Sequence, residues 1–221
     1  MEQEKRENPK KALFTPEQMT ELLESLYGQV VNGLPTSKPC EELASDYLCK
    51  YSDPEKAVKN FVRNQVAKCT TSGFLTSLGG LITLPVAIPA NIASVLYVQL
   101  RMIATIAAIG GYSVKDDEVE TLVYMCLAGT SMIDACKQTG IVIANKMTTS
   151  FVTKRIPGEV IKKINKAVGF RLLTKFGEKG VINIGKLIPI AGGIIGGSFD
   201  FVSTQTIAKR AYKTFIIGEL S

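Results

Sequence analysis

Apolar positions along this chain recur at helical spacing, and in two places the polar half of the pattern disappears. No segment alternates convincingly with a period of two, so the pattern predicts an all-α fold. The first strong helix start is Thr15-Pro16-Glu17-Gln18: Thr15 can cap, Pro16 suits the first helical position, and Gln18 can close a capping box, with Phe14 stapled to Met19. That helix should end at Gly33-Leu34-Pro35, and a second should cover roughly 38–51. Ser52-Asp53-Pro54 opens a third, with Ala57, Val58, Phe61, Val62, Gln65 and Val66 as its inner stripe, running to Gly79-Gly80. Pro85 and Pro89 interrupt the chain, and Ala90–Ile109 follows as a long apolar helix stopped by Gly110-Gly111. Further helices are expected from Asp116, over 131–153, over 158–176, and from Pro189 to about Ile217. The sum is a helical domain of about eight or nine helices.

The two places without polar positions dominate the reading. No charged residue occurs from Cys69 through Leu100, and Leu187–Phe199 reads LIPIAGGIIGGSF. Aligning Pro85 with Pro189 matches Ala87, Ser94 and Val98 with Ala191, Ser198 and Val202, while a two-residue slip matches other positions, so a remote internal repeat is one option. Either 81–100 or 89–109 is long enough to span a bilayer. The flanks argue otherwise: Lys56, Lys59, Arg63 and Lys68 precede, Lys209, Arg210 and Lys213 follow, and no side is favoured for the cytoplasm. Gly192, Gly193, Gly196 and Gly197 form two overlapping GxxxG pairs. Glycine costs about 1 kcal/mol in a helix, so this cluster calls for a close helix crossing, in a bilayer or in a bundle. Arg101 lies inside the apolar helix on a stripe with Asn91, Ser94 and Thr105. Its charge needs compensation, and Asp200, with Asp134 second, is the expected partner of a buried ion pair.

Charge adds a surface to this picture. The chain of 221 residues is 46% hydrophobic and carries a net charge of +6. Between Lys146 and Lys186 the basic residues, among them Lys154, Arg155, Lys162, Lys163, Lys166, Arg171 and Lys175, face only Glu159 and Glu178. Val160, Ile161, Ile164, Val168, Leu172 and Leu173 interleave with them, an amphipathic pattern suited to an anionic leaflet or to the solvated side of a bundle helix. Stacking aromatics are missing from it and the chain has no Trp, so nucleic acid is not an expected partner. Histidine is absent, which removes Ser-His-Asp and Cys-His catalysis and His-containing zinc sites. The cysteines at 40, 49, 69, 126 and 136 form no CxxC and read as reduced thiols. Asp116, Asp117, Glu118 and Glu120 could hold a metal, but acids at a helix start explain them better. No cofactor or metal is expected. The first eleven residues are charged, read as a disordered tail, and lack the apolar core of a secretory signal.

Three stretches carry a family resemblance: GGLITLPVAIPANIASVLYVQLRMIATIA, KINKAVGFRLLTKFGEKG, and the closing P-x-x-G-G-x-x-G-G-x-x-D on Pro189, Gly192, Gly193, Gly196, Gly197 and Asp200. Together they resemble the EcsC family of bacterial proteins, from about Asp53 to Phe215. The resemblance implies a bacterial, cytoplasmic or membrane-associated protein and carries over no catalytic residue. The expected organisation is a tail over 1–11, an N-terminal helical segment over 12–52 and an EcsC-like helical domain over 53–221. The expected function is non-enzymatic: a protein held peripherally or re-entrantly at the inner face of the cell membrane, binding anionic lipid or a membrane partner. Two other readings stay open, an effector that inserts and permeabilises the bilayer, and a soluble lipid carrier or enzyme.

Overall fold

The computed structural model describes residues 15–69, 90–130, 157–176 and 195–219. Among them are seven α-helices: α1 (Pro16–Asn32), α2 (Cys40–Tyr51), α3 (Pro54–Cys69), α4 (Ala90–Ile109), α5 (Asp117–Ala128), α6 (Gly158–Phe176) and α7 (Ile195–Tyr212). A π-helical turn, Lys213–Ile217, continues α7. The all-α architecture is as the periodicity indicates, and no strand forms among the described residues. The expected helix over 131–153 and the stretch between Thr70 and Pro89 lie outside them.

Local signals act where the sequence places them. Thr15 Oγ1 accepts from the Gln18 amide at 3.2 Å, and Gln18 Oε1 accepts from the Thr15 amide at 2.8 Å, completing the capping box ahead of Pro16. Two orphan amides are satisfied reciprocally, which fixes the start of α1. At the other end of α4, Gly111 takes φ +82 and donates to Ala108, while the Tyr112 amide reaches Ala107 at 3.1 Å. This pair of bonds closes the helix on a residue in the left-handed region, where glycine carries no Cβ penalty. α5 ends the same way, with the Thr130 amide on Met125, and the Arg210 guanidinium lies over Gly129 at that end. A cation there also complements the negative end of the helix dipole.

Helix α4 is the centre of the bundle. It packs against α1, α2, α3, α5, α7 and the π-helical turn. Leu96, Leu100, Ile103 and Ile106 are fully buried, and so are Ala104 and Ala107, because other elements pack on it from several sides, leaving one polar stripe with Ser94, Arg101 and Thr105. By length and composition Ile92–Ile109 could cross a membrane, with mean hydropathy 1.8, yet 83% of it is buried inside the protein. Its apolar character is used on neighbouring helices. Aromatic edges fix its neighbours: Tyr27 against Tyr124 at 5.6 Å, Tyr47 against Phe61 at 5.3 Å, and Tyr112 against Phe215 at 5.2 Å. α1 and α2 belong to the same core as the later helices, with Met19, Leu22, Leu23, Leu26 and Cys40 buried in it.

Candidate functional site

Helix α6 carries the largest net charge among the described helices, five basic residues against Glu159, and its sequence sets which way that charge points. Pro157 supplies the first carbonyl of the helix, accepting from Val160 at 2.8 Å. From there Ile161, Ile164, Val168, Leu172 and Leu173 recur every three or four residues and are buried. They face α1 and α5, the described elements that α6 packs against most. Gly169 sits at a close point of the contact with α1. A Cβ there would lie 2.7 Å from Thr20 Oγ1 and 3.3 Å from the Pro16 carbonyl oxygen, so only glycine lets α6 approach the first turns of α1 this closely. The stripe and the crossing together fix the rotation of α6. Lys162, Lys163, Lys166, Ala167, Phe170 and Arg171 are consequently left exposed. Lys166 approaches Glu17 at 3.7 Å, with both side chains well exposed, an ion pair worth little against water. Of the other basic residues singled out from sequence, Lys154 and Arg155 lie outside the described residues, and Lys175 is placed on α6 by its backbone alone.

Beside the start of α6 a cleft of about 530 Å³ opens between α1 and α5. Glu24, Asp117, Glu120, Lys115, Lys162 and Asn165 line it with Tyr27. Burial raises the Glu120 carboxyl above its usual range, and Glu24 and Asp117 push the same way, against a short hydrogen bond donated by the Tyr124 hydroxyl. Asn165 Oδ1 is buried without a donor, while Tyr27 donates to the Val114 carbonyl at 2.8 Å. The acids at 116–120 do open α5, as their helix-start pattern indicates: Asp116 is its N-cap and Asp117, Glu118 and Glu120 fill the first turn. No cluster of metal-ligating side chains occurs among the described residues. No sequence signal connects Glu24 with Glu120, since two unrelated helices bring them to one cleft.

The remaining candidates fall as follows. Arg101 Nη2 donates to the Lys38 carbonyl at 3.2 Å, at the approach to α2, and its Nε is buried without a partner. Burial lowers its pKa, countered by Tyr97, Cys40 and Tyr47. It meets no carboxylate among the described residues. The Thr105 hydroxyl donates to the Arg101 main-chain carbonyl at 2.8 Å, and Ser94 is buried on the same helix. Asp200 lies on α7, a helix that packs against α4, but its side chain is outside the described residues, as is Asp134. Gly192 and Gly193 are outside them too, and Gly196 and Gly197 are placed only as backbone in the first turn of α7. The thiols of Cys40 and Cys126 are buried and free, each pushed up to about 11 mainly by burial, which leaves them unreactive. Cys49 is free and exposed.

Comparison with known proteins gives a single assignment. No curated protein and no solved structure matches the chain. The sequence pattern of one family does match, over residues 14–217, further toward the N-terminus than the resemblance beginning at Asp53. That span covers α1 through the π-helical turn and so the whole described bundle, and the chain belongs to the EcsC protein family.

Proposed function

We propose that this protein is a non-enzymatic bundle that attaches peripherally to an anionic lipid surface, from the cytoplasmic side, through the basic face of α6. One observation carries the reading: α6 turns its apolar stripe onto α1 and α5 and leaves Lys162, Lys163, Lys166 and Arg171 exposed together. Such residues near an anionic leaflet contribute about 1 kcal/mol each and lose that contribution as salt rises. The burial of α4 supports a peripheral attachment over an inserted one, because its apolar surface is already covered. Co-sedimentation with phosphatidylglycerol-containing and with pure phosphatidylcholine vesicles tests the proposal. Binding should require the anionic lipid and weaken with salt; equal binding to neutral vesicles, insensitive to salt, refutes it.

The length and hydropathy of Ile92–Ile109 favour a second reading, insertion of this helix with permeabilisation of the bilayer. Dye leakage from anionic vesicles separates the two. Peripheral attachment leaves the vesicles sealed at saturating protein, and insertion empties them.

A further inference from the structure

Phe170 is 58% exposed in the middle of a charged surface, one of two large apolar side chains exposed to this degree among the described residues. Its position in α6 is specific. At 100° per residue it points within about 20° of Lys163 and about 40° of Lys166, with Lys162 on one flank and Arg171 on the other. The exposed acid of the same face, Glu159, lies three turns away, roughly 16 Å along the axis. Among the other described carboxylates near the face, Glu17 is on the α1 side against Lys166, and Glu24, Asp117 and Glu120 lie in the cleft beside Lys162, on the flank away from Arg171. Ala167, also exposed, adds a small apolar step beside the ring.

An exposed phenylalanine gains nothing from water, and the large exposed residues around it on α6, among those described, are basic. A protein partner would ask for a larger apolar patch around the ring, and a nucleic acid for further aromatics on which successive bases stack. A bilayer matches both parts of the arrangement. Lysine and arginine heads reach the phosphates while their stems lie along the interface, and the ring enters the boundary between headgroups and acyl chains. We infer that Phe170 is the side chain that enters the lipid when α6 docks, and that the surrounding basic residues orient it by contact with anionic headgroups. This rests on the membrane reading above and adds to it the depth and the point of entry.

The chain contains no tryptophan, so Phe170→Trp places a single reporter at that point in the otherwise unchanged protein. With mixed phosphatidylglycerol–phosphatidylcholine vesicles its emission should shift to the blue, and brominated acyl chains should quench it. Phe170→Ala should keep the thermal melt of the parent and bind the same vesicles about tenfold more weakly, with the salt dependence retained. Co-sedimentation without shift or quenching, or parent-like binding by Phe170→Ala, overturns the insertion of Phe170 while membrane attachment stands. Loss of all binding to anionic vesicles by the unmodified chain overturns both. An emission shift with a DNA duplex and none with vesicles would assign the face to nucleic acid and overturn both as well.

Discussion

The crossing at Gly169 holds the basic face outward, and its energetics can be worked from the distances around it. Replacing Gly169 with alanine adds a Cβ 2.7 Å from Thr20 Oγ1, a contact that cannot persist. The hydroxyl is tied to the Pro16 carbonyl at 3.0 Å, so moving it away forfeits a bond worth about 1 kcal/mol. Separating the helices instead loosens the packing of Ile164, Val168 and Leu172, and such overpacking costs roughly 1–3 kcal/mol. Against this, alanine gains about 1 kcal/mol of helix propensity over glycine. The repulsion wins, and Gly169→Ala should lose about 1 kcal/mol. In a Thr20→Ala background the obstructing oxygen is gone, and the nearest neighbour is the Pro16 carbonyl oxygen at 3.3 Å. The same substitution should then be neutral or stabilising, a coupling of about 1–2 kcal/mol between the two sites. Urea unfolding of the four proteins in this cycle, followed by circular dichroism, measures it, provided the denaturant slope is unchanged. Should Gly169→Ala prove as stable as the parent, or the two substitutions simply add, the close crossing is not what sets α6.

Three further outcomes follow from other parts of the molecule. Lys162, Lys163 and Lys166 replaced together by Glu should leave the melting temperature near that of the parent, since all three are exposed, and weaken binding to anionic vesicles by more than about 100-fold; retained binding in co-sedimentation would clear this face of the role. Glu120 has a folded pKa raised above the usual 4.5, so the native state holds its proton more tightly and stability falls as pH rises through the window above 4.5. Glu120→Gln, beside Glu24, Asp117, Lys115 and Lys162, should therefore be the more stable protein at neutral pH with a flatter profile, and an unchanged slope in urea midpoints from pH 4.5 to 7 would refute the burial argument. Arg101→Met removes a single bond to a main-chain carbonyl and should cost about 1–2 kcal/mol in urea unfolding; a loss of about 3–5 kcal/mol, partly recovered by Asp200→Leu, would instead reveal a buried ion pair.

What was legible in the sequence was what depends on near neighbours along the chain. The capping box at Thr15 and Gln18, the stop at Gly110-Gly111 and the extent of Gly158–Phe176 are set within a few residues, and their helices begin and end accordingly. What an element meets across space was not legible. Hydropathy over Ala90–Ile109 reads the same whether the helix faces lipid or six other elements, and only the packing shows the latter. The glycine-rich stretch at 192–197 predicts a close crossing because a cluster of glycines is visible in a sequence, and its packing lies outside the described residues. Close approaches among the described residues include Gly169, a lone glycine whose significance depends on Thr20 lying opposite it, and Gly110, which lies against the Phe215 carbonyl. The bond from Arg101 to the Lys38 carbonyl shows the same limit, because that carbonyl is one of many identical backbone groups, while the expected partner Asp200 has its side chain outside the described residues. At α6 the amphipathic pattern was readable, but which half would remain exposed followed only from its contacts with α1 and α5.

The magnitudes also constrain what kind of attachment this surface can give. Four basic residues at about 1 kcal/mol each give roughly 4 kcal/mol, which corresponds to a dissociation constant near 1 mM. Phe170, entering the interface, strengthens that about tenfold. If Lys154, Arg155 and Lys175 join the same surface, seven residues give roughly 7 kcal/mol, near 10 µM before the ring is counted. Attachment of this kind is reversible and salt releases it, because most of it is electrostatic. Insertion of α4 is a different matter, since Leu96, Leu100, Ile103 and Ile106 must first leave the centre of the bundle. Each such side chain loses about 1.5–3 kcal/mol of burial in water, so the opening alone consumes most of the 5–15 kcal/mol that stabilises a domain. A membrane fraction that keeps the protein at low salt and loses it at high salt, without carbonate, therefore separates the basic face from the apolar helix as the anchor. Retention through both washes would mean that α4 had left the core, and that the buried helix, against the contacts it makes here, was the part that holds the protein in the membrane.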